Sequence, residues 1–206
     1  MQTRIRLSFL LQCAAALLCF SGAWAAAQSG SARAREGGED HPRIEIAAHY
    51  DFTRSNAPPD GCTCFNLNGG GASISGPLSR SFAWVGDVSI THAGGISSSG
   101  YSLTLGTYTT GLRYREHFEH SRLEPFVQAL IGAAHASGSL VEGNNPRVAN
   151  NGGTFAIIAG GGLDVRLQKR IWLRAGEIDY VMTNFDNGQN NRQNNLRADA
   201  GVIFRF

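Results

Sequence analysis

The 206-residue sequence predicts an all-β fold, an eight-stranded antiparallel up-and-down β-barrel. Strand-length segments with apolar residues at every second position recur from Arg43 to the C-terminus, and clusters of Gly, Asn, Pro and Ser separate them. The connections alternate between long polar loops and short turns. This alternation is typical of antiparallel strands that run up and down a closed barrel.

The N-terminal residues 1–42 are predicted to lie outside the barrel. Arg4 and Arg6 precede an apolar run, Leu7–Phe20, and small residues around Ala25 form cleavage sites, so residues 1–27 are interpreted as a secretory signal peptide. A retained membrane anchor is the alternative, but the apolar run is short for one. Residues 28–42 are polar and rich in Gly and Ser, which predicts a flexible leader. The barrel is therefore assigned to residues 43–206.

Eight segments are predicted to be strands, each with two chemically different faces. In chain order they are Ile44–Phe52, Cys64–Gly76, Phe82–Ile90, Tyr108–Arg115, Leu123–Gly132, Phe155–Leu167, Ile171–Thr183 and Leu196–Phe206. In the first strand, for example, Ile46 and Tyr50 share one face and Glu45 and Asp51 share the other. Six of the segments alternate as cleanly as this one.

The second and seventh segments alternate less cleanly. The second is rich in glycine, and its alternation is visible only where Ala72 and Ile74 oppose their serine neighbours. In the seventh, the apolar positions change phase between Ala175 and Ile178. A β-bulge near Gly176 would restore the alternation, because a bulge inserts one extra residue into a strand.

Composition gives no argument for nucleic-acid binding. Loss of Arg4 and Arg6 with the signal peptide leaves 16 basic residues against 16 acidic ones, so the mature chain is near neutral. Lys169 is its only lysine. Soluble surfaces usually contain many lysines, and their scarcity indicates that much of this surface does not face water.

The two faces of the strands leave two orientations open. A soluble lipocalin-like barrel has its apolar face inside, whereas an outer-membrane barrel has it outside, against lipid. The polar face here combines small residues with charges of both signs, as a cramped interior of paired charges requires. The sequence therefore predicts a transmembrane barrel whose lumen contains the charge network Glu45, Asp51, Asp87, Arg113, Arg115, Glu124, Asp164, Arg166, Arg174, Glu177, Asp179, Arg197, Asp199 and Arg205.

Aromatic residues near the strand ends support the same orientation. Tyrosine, tryptophan and phenylalanine concentrate where an outer-membrane barrel crosses the two membrane–water interfaces. The predicted girdle on the apolar face comprises Tyr50, Phe52, Phe82, Trp84, Tyr114, Phe155 and Phe204.

These features together resemble the small outer-membrane β-barrels of the OmpA-like, porin-like transmembrane family. The resemblance implies an outer-membrane location in a Gram-negative bacterium, with outer-membrane lipids and lipopolysaccharide as neighbours. It also implies that the barrel-assembly machinery reads the terminal aromatic residue, Phe206. OmpA proteins continue into a peptidoglycan-binding domain, whereas this sequence stops at Phe206, so no cell-wall tethering is expected.

Three other motifs contain residue types used in catalysis, metal binding or disulfide formation. His135 and Ser137 resemble the His-x-Ser pair of PagL-type lipid A deacylases, but a serine nucleophile also needs an acid behind the histidine, so a polar membrane edge is the favoured interpretation. His117 and His120 lie in a short turn, where solvated side chains are favoured over a metal site. Cys62 and Cys64 offer a possible loop disulfide, although a Cys-x-Cys ring is strained.

The predicted function is that of a non-enzymatic outer-membrane barrel with a structural, membrane-stabilising or surface-interaction role. We expect Arg–carboxylate pairs to fill the lumen, and we expect no cofactor and no metal ion. The alternatives are a narrow channel for small solutes, a lipid A-modifying enzyme that uses His135 and Ser137, and a soluble lipocalin-like binding barrel.

Overall fold

The structure is a computed structural model that describes residues 44–55, 64–96, 100–118, 121–138, 150–185 and 192–206. The predicted signal peptide, residues 1–27, and the predicted leader, residues 28–42, lie outside the described residues. Among those described, no helix is long and apolar enough to cross a bilayer.

Eight antiparallel strands form a closed barrel in the order of the chain. They are β1 (Glu45–Ser55), β2 (Phe65–Pro77), β3 (Phe82–Ile96), β4 (Tyr101–Arg115), β5 (Leu123–Gly138), β6 (Asn150–Arg166), β7 (Ile171–Thr183) and β8 (Gln193–Arg205). β1 closes the barrel by pairing with β8, with Glu45 opposite Arg205 and Ser55 opposite Asn195. The predicted all-β, eight-stranded up-and-down barrel is confirmed.

The predicted β-bulge in β7 is also confirmed. Asp164 of β6 pairs with Arg174, but its neighbour Leu163 pairs with Gly176, so Ala175 is the extra residue. The pairing of β7 with β8 shifts at the same place, between Arg174 and Glu177. The bulge returns the side chains of Glu177 and the following alternate residues to the interior.

The strands extend further toward the long connections than the alternation predicts. β3 continues to Ile96, β4 begins at Tyr101, and β5 continues to Gly138. Residues 93–96, 101 and 137–138 lie beyond the predicted strands but belong to the ladder. The alternation did not reveal them because their inward side chains are apolar or small, whereas the interior side was recognised by its charges.

The charged face lies inside and the apolar face lies outside. In β1, Asp51 is fully buried while Tyr50 and Phe52 are 56% and 38% exposed. The outer wall of the other strands likewise carries large exposed apolar side chains, among them Val127 and Ile178. An apolar surface this continuous marks a membrane or interaction surface rather than a wall in water. The arrangement is the opposite of the lipocalin-like alternative, which is therefore wrong.

The interior is not polar along its whole length. Near the long connections it contains an apolar cluster of buried residues: Leu67, Ala93, Ile96, Tyr101, Leu103, Leu105, Ala134, Ala136 and Ala156, with Phe65 and Phe185 packed against them. Near the short turns, Trp172 packs with Ala47 and Ile203. A third apolar cluster consists of Val85, Leu130, Ile158 and Val181. The charged residues occupy much of the rest of the interior.

Candidate functional site

The charged interior is the candidate site, and its first cluster lies near the short turns. Alternation along β1 and β4 turns Glu45 and Arg115 inward, where NH1 of Arg115 donates to Oε1 of Glu45 at 2.7 Å. Arg205, from β8, places Nε 2.6 Å from Oε1 of Glu45 and NH2 2.6 Å from Oε2 of Glu124. Its guanidinium also lies 3.5 Å from the ring centre of Trp172. Two arginines, two carboxylates and one aromatic ring therefore meet at this end of the barrel interior.

The second cluster surrounds Phe126, which is the register partner of Arg115. The guanidinium groups of Arg113 and Arg174 lie 4.5 and 4.6 Å from the ring centre, within the range of cation–π attraction. Arg174 binds Asp164 at 3.0 Å and Glu177 at 2.7 Å. Arg113 donates to the side-chain carbonyl of Gln128 at 2.7 and 3.0 Å, and the amide of Gln128 donates to Glu177.

The third cluster joins β1, β3, β7 and β8. The guanidinium of Arg197 binds Asp179 at 2.6 Å and Asp87 at 3.2 Å. The imidazole of His49 faces Asp51 at 2.6 Å through Nδ1 and Asp87 at 3.2 Å through Nε2. The hydroxyl of Ser89 donates to the other oxygen of Asp51 at 2.5 Å.

Acidic groups outnumber arginines in this interior. Within the described strands, eight buried carboxylates face five buried guanidinium groups. The carboxylates belong to Glu45, Asp51, Asp87, Glu124, Asp164, Glu177, Asp179 and Asp199, and the guanidiniums to Arg113, Arg115, Arg174, Arg197 and Arg205. An unpaired buried charge is costly, so the surplus requires further neutralisation.

Arg166 does not lie among these interior charges, and its prediction is wrong. It is the last residue of β6, stands opposite Trp172, and is exposed. The strand ends there at the mouth of the barrel, where a side chain on the inner parity reaches solvent. Trp172 is the buried residue at that register.

The seven predicted girdle residues lie on the outer wall. Phe82 and Tyr114 are register partners on β3 and β4 near the short turns, with ring centres 5.2 Å apart. Near the long connections, the hydroxyl of Tyr50 donates to Asn68 at 2.7 Å. The remaining predicted members are Phe52, Trp84, Phe155 and Phe204.

Tyr180 was not predicted for this girdle, but it occupies the equivalent place on β7. It is 47% exposed and donates to Asn194 at 2.6 Å. Tyr50 and Tyr180, on the outer wall, therefore each donate to an asparagine on a neighbouring strand.

His135 and Ser137 lie on the outer parity of β5 near the long connections, half-buried, as predicted from alternation. The register partners of His135 are Gly106 and Gly153, and those of Ser137 are Thr104 and Asn151. None of these partners carries a carboxylate. The adjoining strands therefore place no acid beside the pair at its own register.

The turn histidine and the loop cysteines have simpler surroundings. His117 places Nδ1 3.2 Å from Glu124 and Nε2 2.9 Å from the carbonyl oxygen of Arg80, so both ring nitrogens face protein groups. His120 lies outside the described residues. Cys64 is exposed just before β2 and Cys62 lies outside the described residues, so their disulfide stays a prediction.

Sequence reasoning missed the uncharged members of the interior. Gln128 bridges Arg113 and Glu177, and His49 and Ser89 complete the surroundings of Asp51. Their inward parity was visible in the sequence. Their role was not, because contacts such as Gln128 with Glu177 and Ser89 with Asp51 join strands that are not paired, and these contacts depend on the stagger of the barrel as well as on alternation.

Together the closed eight-strand barrel, its charged interior and its apolar outer wall define the fold of the small outer-membrane β-barrels. Among solved structures, neisserial surface protein A is similar, with a TM-score of 0.64 and 13% identity over 79% of this chain and 97% of that one. Ail, the attachment invasion locus protein of Yersinia pestis, is similar with a TM-score of 0.55 and 16% identity over 81% of this chain and 99% of that one. A second Ail structure, in complex with the heparin analogue sucrose octasulfate, gives a TM-score of 0.54 and 15% identity over the same shares.

These similarities confirm the predicted likeness to small outer-membrane barrels at the level of the fold. No family model matches the sequence, and no curated protein is significantly similar to it.

Proposed function

We propose that the protein is a non-enzymatic barrel of the bacterial outer membrane that presents its long connections outward and conducts no solutes. The observation that carries the proposal is the pairing of charges across the barrel interior. Arg115 on β4 reaches Glu45 on β1, Arg205 on β8 reaches Glu124 on β5, and Arg197 reaches Asp87 on β3. An eight-stranded barrel has an interior only wide enough for side chains, so such bridges leave little room for solutes.

The apolar cluster near the long connections supports the same proposal. Its residues are no more than 7% exposed, so they pack against one another rather than line a water-filled channel. A solute entering from that side would have to displace Leu67 and Tyr101 before it reached the charged clusters.

Conductance and fractionation test this proposal together. We expect the protein in the outer-membrane fraction, with a gel mobility that changes on boiling, and we expect planar bilayers containing it to stay at baseline conductance. Arg54→Ala, on the outer wall, is the control for Arg115→Ala, which removes an interior bridge. Steady openings of the wild type that respond to Arg115→Ala and not to Arg54→Ala would show a narrow channel instead.

A structural or surface role is supported by the outer wall. Just above Tyr50 and Tyr180 the wall becomes polar: Arg54 donates to Asn66 at 2.7 Å, and His92 contacts Thr104 at 2.9 Å. We infer that this band meets the phosphate-bearing headgroups of lipopolysaccharide, since basic and hydrogen-bonding groups are the usual partners of phosphate.

The similar Ail structure with a heparin analogue raises the question of a polyanionic ligand. In this chain the long connections and the residues beside them contain Asp60, Glu142 and Asp186 against Arg147 and Arg192. This balance of charge does not favour a sulfated glycan. We therefore expect no retention on heparin at physiological ionic strength, and salt-sensitive retention would contradict this part of the proposal.

Lipid A modification is the competing chemical function. In the described strands, the register partners of His135 and Ser137 carry no carboxylate. A serine nucleophile needs an acid that positions its histidine as a base. We expect lipid A from cells that express the wild type and from cells that express Ser137→Ala to have the same mass spectrum. A lost acyl chain that depends on Ser137 would establish the enzyme.

A further inference from the structure

Three carboxylates stand side by side across adjacent strands of the interior. Asp199 on β8 is the register partner of Asp51 on β1 and of Glu177 on β7. Like charges directly opposite one another destabilise a sheet. The three neighbouring carboxylates therefore repel one another unless a positive charge lies between them.

Asp199 is the least neutralised of the three. Its side chain is 2% exposed, and its Oδ1 is buried without a hydrogen-bond partner among the described residues. In that part of the chain, one arginine, Arg197, is in ion-pair range. It stands 3.9 Å from Oδ2 and already binds Asp179 and Asp87 at shorter distances. Asp51 and Glu177 differ, since each has a close polar or basic partner.

One oxygen each from Glu177, Asp179 and Asp199 lie within 4.8 Å of one another. A carboxylate offers about four lone-pair sites, so Glu177 and Asp179 keep acceptor capacity beside the arginines that bind them. An all-oxygen set suits hard divalent cations. The group formed by His49, Asp51 and Asp199 is equally compact, but both ring nitrogens of His49 already face carboxylates.

We propose that Glu177, Asp179 and Asp199 bind one hard divalent cation, of the Mg²⁺, Ca²⁺ or Mn²⁺ class, inside the barrel. The cation separates Asp199 from its neighbours and neutralises most of the interior excess of three carboxylates. This inference is independent of the proposed function, because it concerns the interior of the isolated barrel.

The experiment uses untagged protein refolded in zwitterionic detergent free of lipopolysaccharide and treated with a chelator. Mn²⁺ is the probe, followed by its electron paramagnetic resonance signal, with Ca²⁺ and Mg²⁺ as competitors. We expect saturable binding of one Mn²⁺ per chain and a shift of the unfolding midpoint to higher denaturant. Asp199→Asn should lose both effects, and without cation it should unfold at higher denaturant than the wild type because the row of like charges is broken.

Glu124→Gln is the matched control, since it removes one interior carboxylate near the short turns and should keep the binding. The proposal is overturned if the wild type shows no saturable Mn²⁺ binding, or if Asp199→Asn binds Mn²⁺ as the wild type does. Should Asp199→Asn fail to refold, Glu177→Gln is measured in its place. The proposal is then overturned if the wild type shows no saturable Mn²⁺ binding, or if Glu177→Gln binds Mn²⁺ as the wild type does.

Discussion

Replacing Arg197 with methionine should destabilise the barrel more than any outer-wall arginine substitution. Methionine keeps most of the length of the side chain but leaves Asp87 and Asp179 without the guanidinium that binds them at 3.2 and 2.6 Å. Two unit charges about 4 Å apart attract by about 4 kcal/mol at an effective dielectric constant of about 20. Removing one partner of a buried pair costs about 3–5 kcal/mol, because the other charge stays buried and uncompensated.

We therefore expect Arg197→Met to lower the free energy of unfolding by about 3–5 kcal/mol. The measurement is equilibrium unfolding in detergent micelles, with Trp84 and Trp172 as fluorescent reporters. Arg54→Met is the control, since Arg54 lies exposed on the outer wall, and it should change the free energy by less than about 0.5 kcal/mol.

The double variant Arg197→Met/Asp179→Asn separates charge from packing. Neutralising Asp179 removes one of the carboxylates that Arg197→Met leaves unpaired, so the double variant should lose less stability than the two single variants added together, by about 1–3 kcal/mol. Two results would refute the reasoning. The first is that Arg197→Met lowers the free energy of unfolding no more than Arg54→Met does. The second is that the change in the double variant equals the sum of the changes in the two single variants.

Three further predictions concern the outer wall, two glycines and the C-terminal residue. Ile178 is 61% exposed on the outer wall, so Ile178→Arg should cost about 2–4 kcal/mol in a bilayer if this residue faces lipid near the midplane, and no cost in lipid vesicles would contradict that placement. A Cβ at Gly132 would lie 2.0 Å from the carbonyl oxygen of Tyr108, whereas one at Gly76 would meet nothing within 4 Å. Gly132→Ala should therefore lower the unfolding midpoint and Gly76→Ala should not; equal midpoints would refute the close approach. Phe206 is 66% exposed, so its deletion should leave refolding in detergent intact while lowering the amount of barrel assembled in cells, and equal amounts in the two strains would remove its role as an assembly signal.

The sequence was sufficient to predict the barrel, the number of its strands and which face of each strand points into the interior. Strict alternation in β1 and β8 predicts which parity faces inward, and the phase change at Ala175 and Gly176 predicts the bulge because only an extra residue reconciles the two halves of β7. These features are local, so they are visible without knowledge of the partner strand.

The remaining features depend on contacts that alternation cannot specify. Three residues of β4 face inward like the charged residues further along the strand, but they are as apolar as the outer wall. They are Tyr101, Leu103 and Leu105. A rule that recognises the interior by its charges therefore ends the strand too early. The prediction for Arg166 fails for the opposite reason. Its parity is inward, but it is the last residue of β6 and is exposed at the barrel mouth.

Three of the interior pairs have a consequence for assembly, because they join residues that are far apart in the chain and lie on strands that are not neighbours in the barrel. Glu45 and Arg115 are 70 residues apart, Glu124 and Arg205 are 81 apart, and Asp87 and Arg197 are 110 apart. None of these pairs links neighbouring strands, so each can form only when the barrel is closed. A slip of one residue in any strand that carries interior charges would turn those charges toward the apolar outer wall. An arginine on such a wall costs about 2–4 kcal/mol at the midplane of a bilayer. Since buried ion pairs add little net stability over apolar packing, their main physical effect here is to penalise every register but the native one.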